Sequence, residues 1–171
     1  MPFLSQSRGS YKLNYTTHKQ KDLSITEGSK VSSAKGIKIA IVYAEWNFAI
    51  TDALRKGAYN TLIKNGADKR DIIQHTVPGS FELTLGAQFF AKHKKVDAVI
   101  CLGCVIQGET RHFDFICDAV AHGVTAVSLK YNKPIIFGVL TPNNMQQAKE
   151  RAGGKHGNKG DEAAITAIKM V

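Results

Sequence analysis

Residues 37–43 read IKIAIVY, a run dominated by β-branched side chains. Such a run is typical of a strand whose two faces are both buried in a sheet. Three more segments have the length and apolar character of strands: IIQHTV (72–77), VDAVICL (96–102) and IIFGVL (135–140). Between the strands, apolar residues recur at helical spacing, most regularly over residues 113–127. This alternation predicts an α/β three-layer sandwich, in which a parallel four-stranded sheet carries helices on both faces.

Capping and stop signals predict where the helices begin and end. Asn47 is placed to cap the first helix, and Asn65 followed by Gly66 ends it. Later helices are expected at about 81–93, 113–127, 143–151 and 160–171. The last helix is expected to bury four apolar side chains: Ala164, Ala167, Ile168 and Val171. Four strands without a GxGxxG motif after the first favour a flavodoxin-like sheet over a dinucleotide-binding fold.

The first 35 residues differ in composition from the rest of the chain. They are rich in Ser, Thr, Lys, Asn and Gln and show no sustained periodicity. This predicts an extended or partly disordered N-terminal arm over residues 1–35. Residues 36–171 are then expected to form a single domain, as the total length of 171 residues also indicates.

Composition and charge exclude several classes of protein. Hydrophobic residues make up 43% of the chain, which excludes a wholly disordered protein. No apolar run approaches the roughly 20 residues of a membrane span, and the N-terminus does not resemble a secretory signal, so we expect a cytoplasmic protein.

The net charge of +9 raises the hypothesis that the protein binds nucleic acid. The basic residues are dispersed, however, and the densest cluster, Lys92, Lys94 and Lys95, falls at a predicted helix end. An anionic small substrate suits this charge, and no nucleic-acid or membrane partner is predicted.

The three cysteines do not indicate a disulfide framework, because one would remain unpaired. Cys101 and Cys104 are spaced as C-x-x-C, but Cys101 lies in a predicted strand and not at a helix start, where a redox thiolate is stabilised. A structural zinc site takes about four ligands, and the sequence offers no second cysteine pair. The sequence therefore predicts neither a redox centre nor a metal site.

Candidate functional residues follow the carboxyl ends of the strands, where sheets of this class bind ligands. Trp46 follows the first strand and would either stack on a flat heterocycle or pack in the core. Glu82 follows the second strand and a Pro-Gly turn. Its carboxylate would either bind substrate hydroxyls or complement the dipole of the next helix. The sequence alone leaves both pairs of alternatives open.

The loop after the third strand, GCVIQGET (103–110), leads into the most regular helix. Gly108, Glu109 and Thr110 lie at a strand-to-helix junction, where free N–H groups bind anions; the alternative is a tight turn capped by Thr110. His112 is predicted one turn inside the helix, where it would either move protons beside the anion or remain a surface imidazole. Residues 151–161 have four glycines and three cations, which predicts a flexible basic loop.

Five motifs occur together in one order: EWN (45–47), VPGSFE (77–82), GCVIQGETRHFD (103–114), PIIFGVLT (134–141) and ERAGGKHGNKG (150–160). Through them the chain resembles the lumazine synthase family from about residue 37 to residue 171. The resemblance implies condensation of 5-amino-6-(D-ribitylamino)uracil with 3,4-dihydroxy-2-butanone 4-phosphate, the penultimate step of riboflavin synthesis. The products are 6,7-dimethyl-8-ribityllumazine, phosphate and water. It implies no metal and no organic cofactor.

The same resemblance implies roles for individual residues. His112 is expected to transfer protons. The pyrimidine and its ribityl chain are expected to meet Trp46, Asn47, Ser80, Phe81, Glu82, Val105, Ile106 and Phe137. The phosphate is expected to meet Gly108, Glu109, Thr110, Arg151, Lys155 and Lys159. Trp46 stands where many members have Phe, and Glu109 where a small residue is common, so only the backbone of Glu109 is carried over.

The resemblance also implies an assembly. Members form pentamers, and some pack twelve pentamers into an icosahedral cage. Phe137 and Arg151 are expected to reach a neighbour's pocket, so that active sites lie between subunits. The stretch 150–164 has no insertion of the kind common in pentamer-only members, which favours the cage. The long basic arm over residues 1–35 argues against the cage, because it must be accommodated at an interface or exposed. Riboflavin synthase is a candidate partner. There are two alternative functions. One is a flavin-binding module in which Trp46 stacks on an isoalloxazine ring, and the other is a purely structural shell protein.

Overall fold

The computed structural model describes residues 32–93 and 95–171. Its main sheet is parallel and has the strand order β2-β1-β3-β4. The strands are β1 (Ile39–Ala44), β2 (Ile72–Val77), β3 (Ala98–Cys104) and β4 (Ile135–Leu140). The helices are α1 (Phe48–Lys64), α2 (Leu83–Ala91), α3 (His112–Tyr131), α4 (Met145–Glu150) and α5 (Lys159–Met170). A short antiparallel hairpin, β5 (Ala152–Gly154) and β6 (Gly157–Asn158), joins α4 to α5.

The sheet separates two apolar cores, one on each face. The first core packs α1 and α5 on one face of the sheet through residues such as Leu54, Leu62 and Ala164. The second packs α2 and α3 on the other face through residues such as Leu83 and Val120. The predicted fold class, a four-stranded parallel sheet with helices on both faces, is confirmed.

Strand position in the sheet explains which strands are buried. Five of the six residues of β1 are buried, as its β-branched run predicts, because β1 has a neighbour on each side. In β2 only Ile72 and Val77 are buried, because this strand lies at one edge. β4 forms the opposite edge, and its Phe137 is 41% exposed.

The residue before α1 does not cap the helix as the sequence predicted. Asn47 occupies the N-cap position, but its backbone is left-handed at φ 57° and its side chain makes no capping bond. The side-chain amide instead donates a hydrogen bond to the backbone oxygen of Cys104 at 2.9 Å. Asn47 therefore ties the end of β1 to the end of β3, a long-range contact that a local signal does not reveal.

The predicted helix boundaries hold at some ends and fail at others. α1 stops at Lys64, and Gly66 follows with φ 96°, as the Asn-Gly signal predicted. α2 is shorter than expected, and the third strand runs on to Cys104. The prediction that Val171 is buried was wrong: it is 55% exposed, because α5 ends at Met170.

The segment 151–161 is not the flexible loop that its glycines suggested. It contains the β5–β6 hairpin, and Asn158 fastens that hairpin to two helices. The Oδ1 atom of Asn158 accepts the Gly160 N–H at 2.8 Å, which caps α5. Its Nδ2 donates to the backbone oxygen of Ala53 in α1 at 3.0 Å. The hairpin therefore has a fixed position against α1 and α5.

The arm predicted for residues 1–35 lies almost wholly outside the described residues, as does Lys94 of the basic cluster. The arm and the domain boundary after it stay predictions. Within residues 32–93 and 95–171, no helix has both the length and the apolar character needed to cross a bilayer.

Candidate active site

Trp46, Gly79 and Glu82 form a compact group where β1 and β2 end. The backbone N–H of Trp46 donates to the oxygen of Pro78 at 3.0 Å, which holds the two chain segments together. The indole is 67% exposed, so the alternative of a core tryptophan does not hold for this subunit. The Gly79 N–H donates to Oε2 of Glu82 at 3.0 Å, and Glu82 makes no side-chain capping bond to α2. An oriented carboxylate thus lies beside an exposed aromatic surface.

Ser80 and Phe81 continue this group toward α2. Ser80 is only 6% exposed and lies against Gly103 of β3. A Cβ atom at position 103 would come within 2.6 Å of the Ser80 hydroxyl oxygen, so the close approach depends on glycine there. Phe81 is 54% exposed and points its ring out of this subunit's cores.

The segment after β3 runs beside the segment after β4. The Val105 N–H donates to the Leu140 oxygen at 2.8 Å, and the Gln107 N–H donates to the Pro142 oxygen at 3.0 Å. Val105 packs on the core of α2 and α3, whereas Ile106 packs on the core of α1 and α5. The two side chains therefore point to opposite faces of the sheet and do not form one apolar wall.

The loop 108–110 exposes its backbone just before α3. Within the described residues, the N–H groups of Gly108, Glu109 and Thr110 have no hydrogen-bond partner. The Thr110 hydroxyl oxygen accepts the His112 N–H at 3.4 Å. His112 is the first residue of α3, so the prediction that it lies one turn inside the helix was wrong. Its imidazole is exposed beside these N–H groups, at the positive end of the helix dipole.

Four predicted site residues, Phe137, Arg151, Lys155 and Lys159, lie elsewhere in the subunit. Phe137 and Lys159 share a groove of about 340 Å³ between β4 and α5. The Lys159 N–H donates to the Arg151 oxygen at 2.9 Å, so Arg151 begins and Lys159 ends the hairpin segment. Lys155 lies between β5 and β6.

The two groups are separated by the width of the sheet. Glu82 follows β2 and Trp46 follows β1, whereas Phe137 lies on β4 at the opposite edge. It is three strand spacings, about 14 Å, from β2 and two spacings, about 10 Å, from β1. Phe137 pairs with Cys101 of β3, three residues before β3 and β4 end. Phe137 therefore lies about 10 Å from the carboxyl edge of the sheet, measured along the strands. One subunit therefore does not bring all the predicted site residues together.

Charge pairing distinguishes the three cations of the hairpin segment. Lys155 Nζ lies 3.1 Å from Glu150 Oε1, and Lys159 Nζ lies 2.5 Å from Glu162 Oε2. A hydrogen bond from Gln146, together with Lys155, holds the pKa of Glu150 below its ordinary value. Among the described residues Arg151 makes no ion pair, and its side chain is exposed. Arg151 is thus the cation of this segment that remains available to an external anion.

Cys101 and Cys104 are buried in the core, as their positions predicted, whereas Cys117 on α3 is only partly buried. All three thiols are free, and burial raises the pKa of Cys101 to about 12 and that of Cys104 to about 11. Thiols with such pKa values are poor nucleophiles near neutral pH. In the part of the chain that the structure describes, no three His, Cys, Asp or Glu side chains are grouped so that they could hold a metal ion.

Comparison with known proteins gives the family. A family model of 6,7-dimethyl-8-ribityllumazine synthase matches residues 36–171. The chain belongs to this family. Proteins named 6,7-dimethyl-8-ribityllumazine synthase are similar to it. The one from Cytophaga hutchinsonii is 68% identical over 131 residues, which is 77% of this chain and 82% of that protein. The one from Parabacteroides distasonis is 53% identical over 150 residues, 88% of this chain and 94% of that protein.

Lumazine synthases are transferases of the penultimate step of riboflavin biosynthesis, so the resemblance that the five motifs indicated is confirmed. Small-molecule substrates and oligomeric assembly are general features of the lumazine synthase family. Sequence reasoning treated Gly79 only as part of a turn and did not consider Asn158. The Pro-Gly pair was the available signal for Gly79, but the contact with Trp46 is visible only in three dimensions.

Proposed function

We propose that this chain condenses 5-amino-6-(D-ribitylamino)uracil with 3,4-dihydroxy-2-butanone 4-phosphate at the carboxyl edge of its sheet, releasing phosphate and water. The observation that carries the proposal is the exposed Trp46 indole beside the oriented Glu82 carboxylate. A flat, polar heterocycle with a polyol chain matches this pair, because the ring stacks on the indole and the hydroxyls donate to the carboxylate.

The pyrimidine side of the site is formed by the ends of β1, β2 and β3. Trp46 supplies the stacking surface and Glu82 binds ribityl hydroxyls, with Ser80 and Phe81 beside them. One oxygen of Glu82 is held by the Gly79 N–H, which leaves the other oxygen to accept from the substrate. Asn47 holds the β1 end against β3, and the backbone of Val105 and Ile106 borders the ring where β3 ends, because their side chains point to opposite faces of the sheet.

The phosphate side combines the 108–110 loop with a cation. The unpaired N–H groups of Gly108, Glu109 and Thr110 donate to phosphate oxygens, and Arg151 supplies a bidentate guanidinium. Lys155 and Lys159 add positive charge nearby, although each is already paired with a glutamate of its own subunit. This arrangement stabilises phosphate as it departs.

His112 moves the protons of the reaction. The substrate amine attacks the ketone and a first water leaves as the imine forms. Phosphate then leaves by elimination, and the second nitrogen attacks the remaining carbonyl and closes the ring with loss of a second water. Each step adds or removes a proton, and His112 is exposed beside the loop where phosphate is held. The protein otherwise contributes orientation of the two substrates.

The complete site is proposed to lie between subunits. Phe137, Arg151 and Lys159 lie at the β4 edge, across the sheet from Trp46, so they serve a neighbour's pocket when subunits form a ring. The ring is proposed to be a pentamer, and the short β5–β6 hairpin, without an insertion, favours a cage of twelve pentamers. Three free thiols suit the reducing cytoplasm as the place of action.

Mixing two inactive variants tests the shared site. Arg151→Ala and His112→Ala are each expected to lose most activity, Arg151→Ala because a charge-assisted bond of about 1.5–3 kcal/mol is lost. When the two are unfolded and reassembled together in equal amounts, about one quarter of the interfaces combine two intact halves, because ring contacts are head-to-tail. Activity should then rise well above that of either variant reassembled alone.

Absence of recovery in mixed rings of proven composition would contradict a site between subunits. Sedimentation velocity of the wild-type protein at neutral pH tests the assembly separately. A particle of about twelve pentamers supports the cage, and a particle of pentamer mass with nothing larger contradicts it.

A further inference from the structure

Gly79 touches two groups of the candidate site at once. A Cβ atom at position 79 would lie 2.7 Å from Cε3 and 2.9 Å from Cζ3 of the Trp46 indole. The same Cβ would lie 3.0 Å from Oε2 of Glu82, the oxygen that the Gly79 N–H holds. The six-membered part of the indole is thus packed directly on the backbone of residue 79.

The backbone conformation does not demand glycine at this position. The described glycines with left-handed φ are Gly36, Gly66, Gly153 and Gly157, and Gly79 is not among them. Alanine could adopt the same backbone angles, so the constraint at position 79 is the space that the indole and the carboxylate occupy. Gly79 is buried although it lies in a turn, because these two side chains cover it.

We propose that Gly79 is a positioning residue that fixes the Trp46 ring and the Glu82 carboxylate relative to each other, and that the indole at position 46 depends on glycine at position 79. The inference rests on the proposed function, because it concerns the same pyrimidine pocket. In this proposal Gly79 sets the orientation of the Trp46 ring without itself contacting the substrate.

The Gly79→Ala variant tests this coupling. The added methyl group pushes the indole away and shifts the carboxylate, and a misplacement on the order of 1 Å can cost about 100-fold. We expect the KM for 5-amino-6-(D-ribitylamino)uracil to rise about 10- to 100-fold with a smaller change in kcat. The KM for the phosphorylated ketone should change by less than about threefold. Because Trp46 is the only tryptophan, its emission in the free enzyme should also change in maximum or intensity.

Two further variants separate positioning from a general effect on the turn. In a Trp46→Phe background the smaller ring leaves room for the methyl group, so adding Gly79→Ala should raise KM by less than about threefold. Pro78→Ala alters the same turn without the collision and should leave KM within about twofold of wild type. The double variant is also the one to measure if Gly79→Ala alone does not fold.

Unchanged emission and KM in a folded Gly79→Ala protein would overturn the inference. So would an equal effect of Gly79→Ala in the wild-type and Trp46→Phe backgrounds, an equal effect of Pro78→Ala, or a double variant that fails to fold. The emission measurement needs no catalysis. A wild-type protein without turnover would therefore refute the proposed function while the coupling of Gly79 to Trp46 could still be measured.

Discussion

Replacing His112 by alanine is expected to lower turnover by about 10²- to 10⁴-fold, the range for loss of a general acid–base residue. The melting temperature should change little, because the imidazole is exposed and contributes to neither core. The measurement is steady-state formation of lumazine by each protein, together with thermal unfolding followed by circular dichroism.

His122 offers a matched control on the same helix. Its imidazole is exposed, and Nδ1 lies 3.1 Å from Asp118 Oδ1, well away from the 108–110 loop. We expect His122→Ala to retain turnover within about twofold, because surface changes away from a site have small effects. If His112→Ala turned over substrate at the wild-type rate, or if both variants lost activity equally, proton transfer by His112 would be excluded.

Replacing Gly160 by alanine is expected to have the largest effect on stability. A Cβ atom there would overlap the backbone oxygen of Leu54 and lie 2.7 Å from its carbonyl carbon. In a helix, alanine stabilises the folded state by about 1 kcal/mol relative to glycine. Overpacking against a backbone that cannot move aside destabilises it by about 3 kcal/mol. The collision therefore dominates by about 2 kcal/mol, and the melting temperature of a chain of this size should fall by roughly 4–8 °C.

Gly108→Ala is the matched stability control. A Cβ atom at position 108 has no heavy atom within 4 Å, and its φ is not left-handed. This change is expected to be neutral or to stabilise by up to about 1 kcal/mol, since it restricts the unfolded chain. A Gly160→Ala protein as stable as wild type would show that α5 can move away from α1, and would contradict the close packing of Gly160 on the Leu54 backbone.

The elements that were predictable are those with a strong local signal. The β-branched run over 37–43 identified β1 because a central strand must be apolar on both faces. The Asn65-Gly66 pair identified the end of α1 because glycine adopts the left-handed conformation without strain. In both cases the conformation is determined by a few adjacent residues.

Features that depend on distant contacts were not predictable. Asn47 looked like a helix cap, but the oxygen of Cys104, 57 residues further along the chain, takes its side-chain amide. The hairpin in 151–161 looked like a flexible loop because of its glycines. It is ordered because Asn158 and Gly160 pack against α1.

The sequence was sufficient to predict which chain segments form the candidate site. Parallel sheets place ligands at their carboxyl edge, and Trp46, Glu82 and His112 all follow strands there. The spacing of residues did not reveal that Phe137 lies across the sheet from Trp46, since that separation follows from the strand order β2-β1-β3-β4. Nor did it reveal that Lys155 and Lys159 are paired within the subunit.

The most direct test of the proposed condensation is to mix the purified wild-type protein with 5-amino-6-(D-ribitylamino)uracil and 3,4-dihydroxy-2-butanone 4-phosphate. Lumazine fluorescence and free phosphate are followed together, with controls lacking either substrate or the protein. Both products are expected to appear at equal rates, well above the reaction without protein, with no metal or organic cofactor added. Phosphate released without lumazine, or neither product above background, would contradict the proposed condensation.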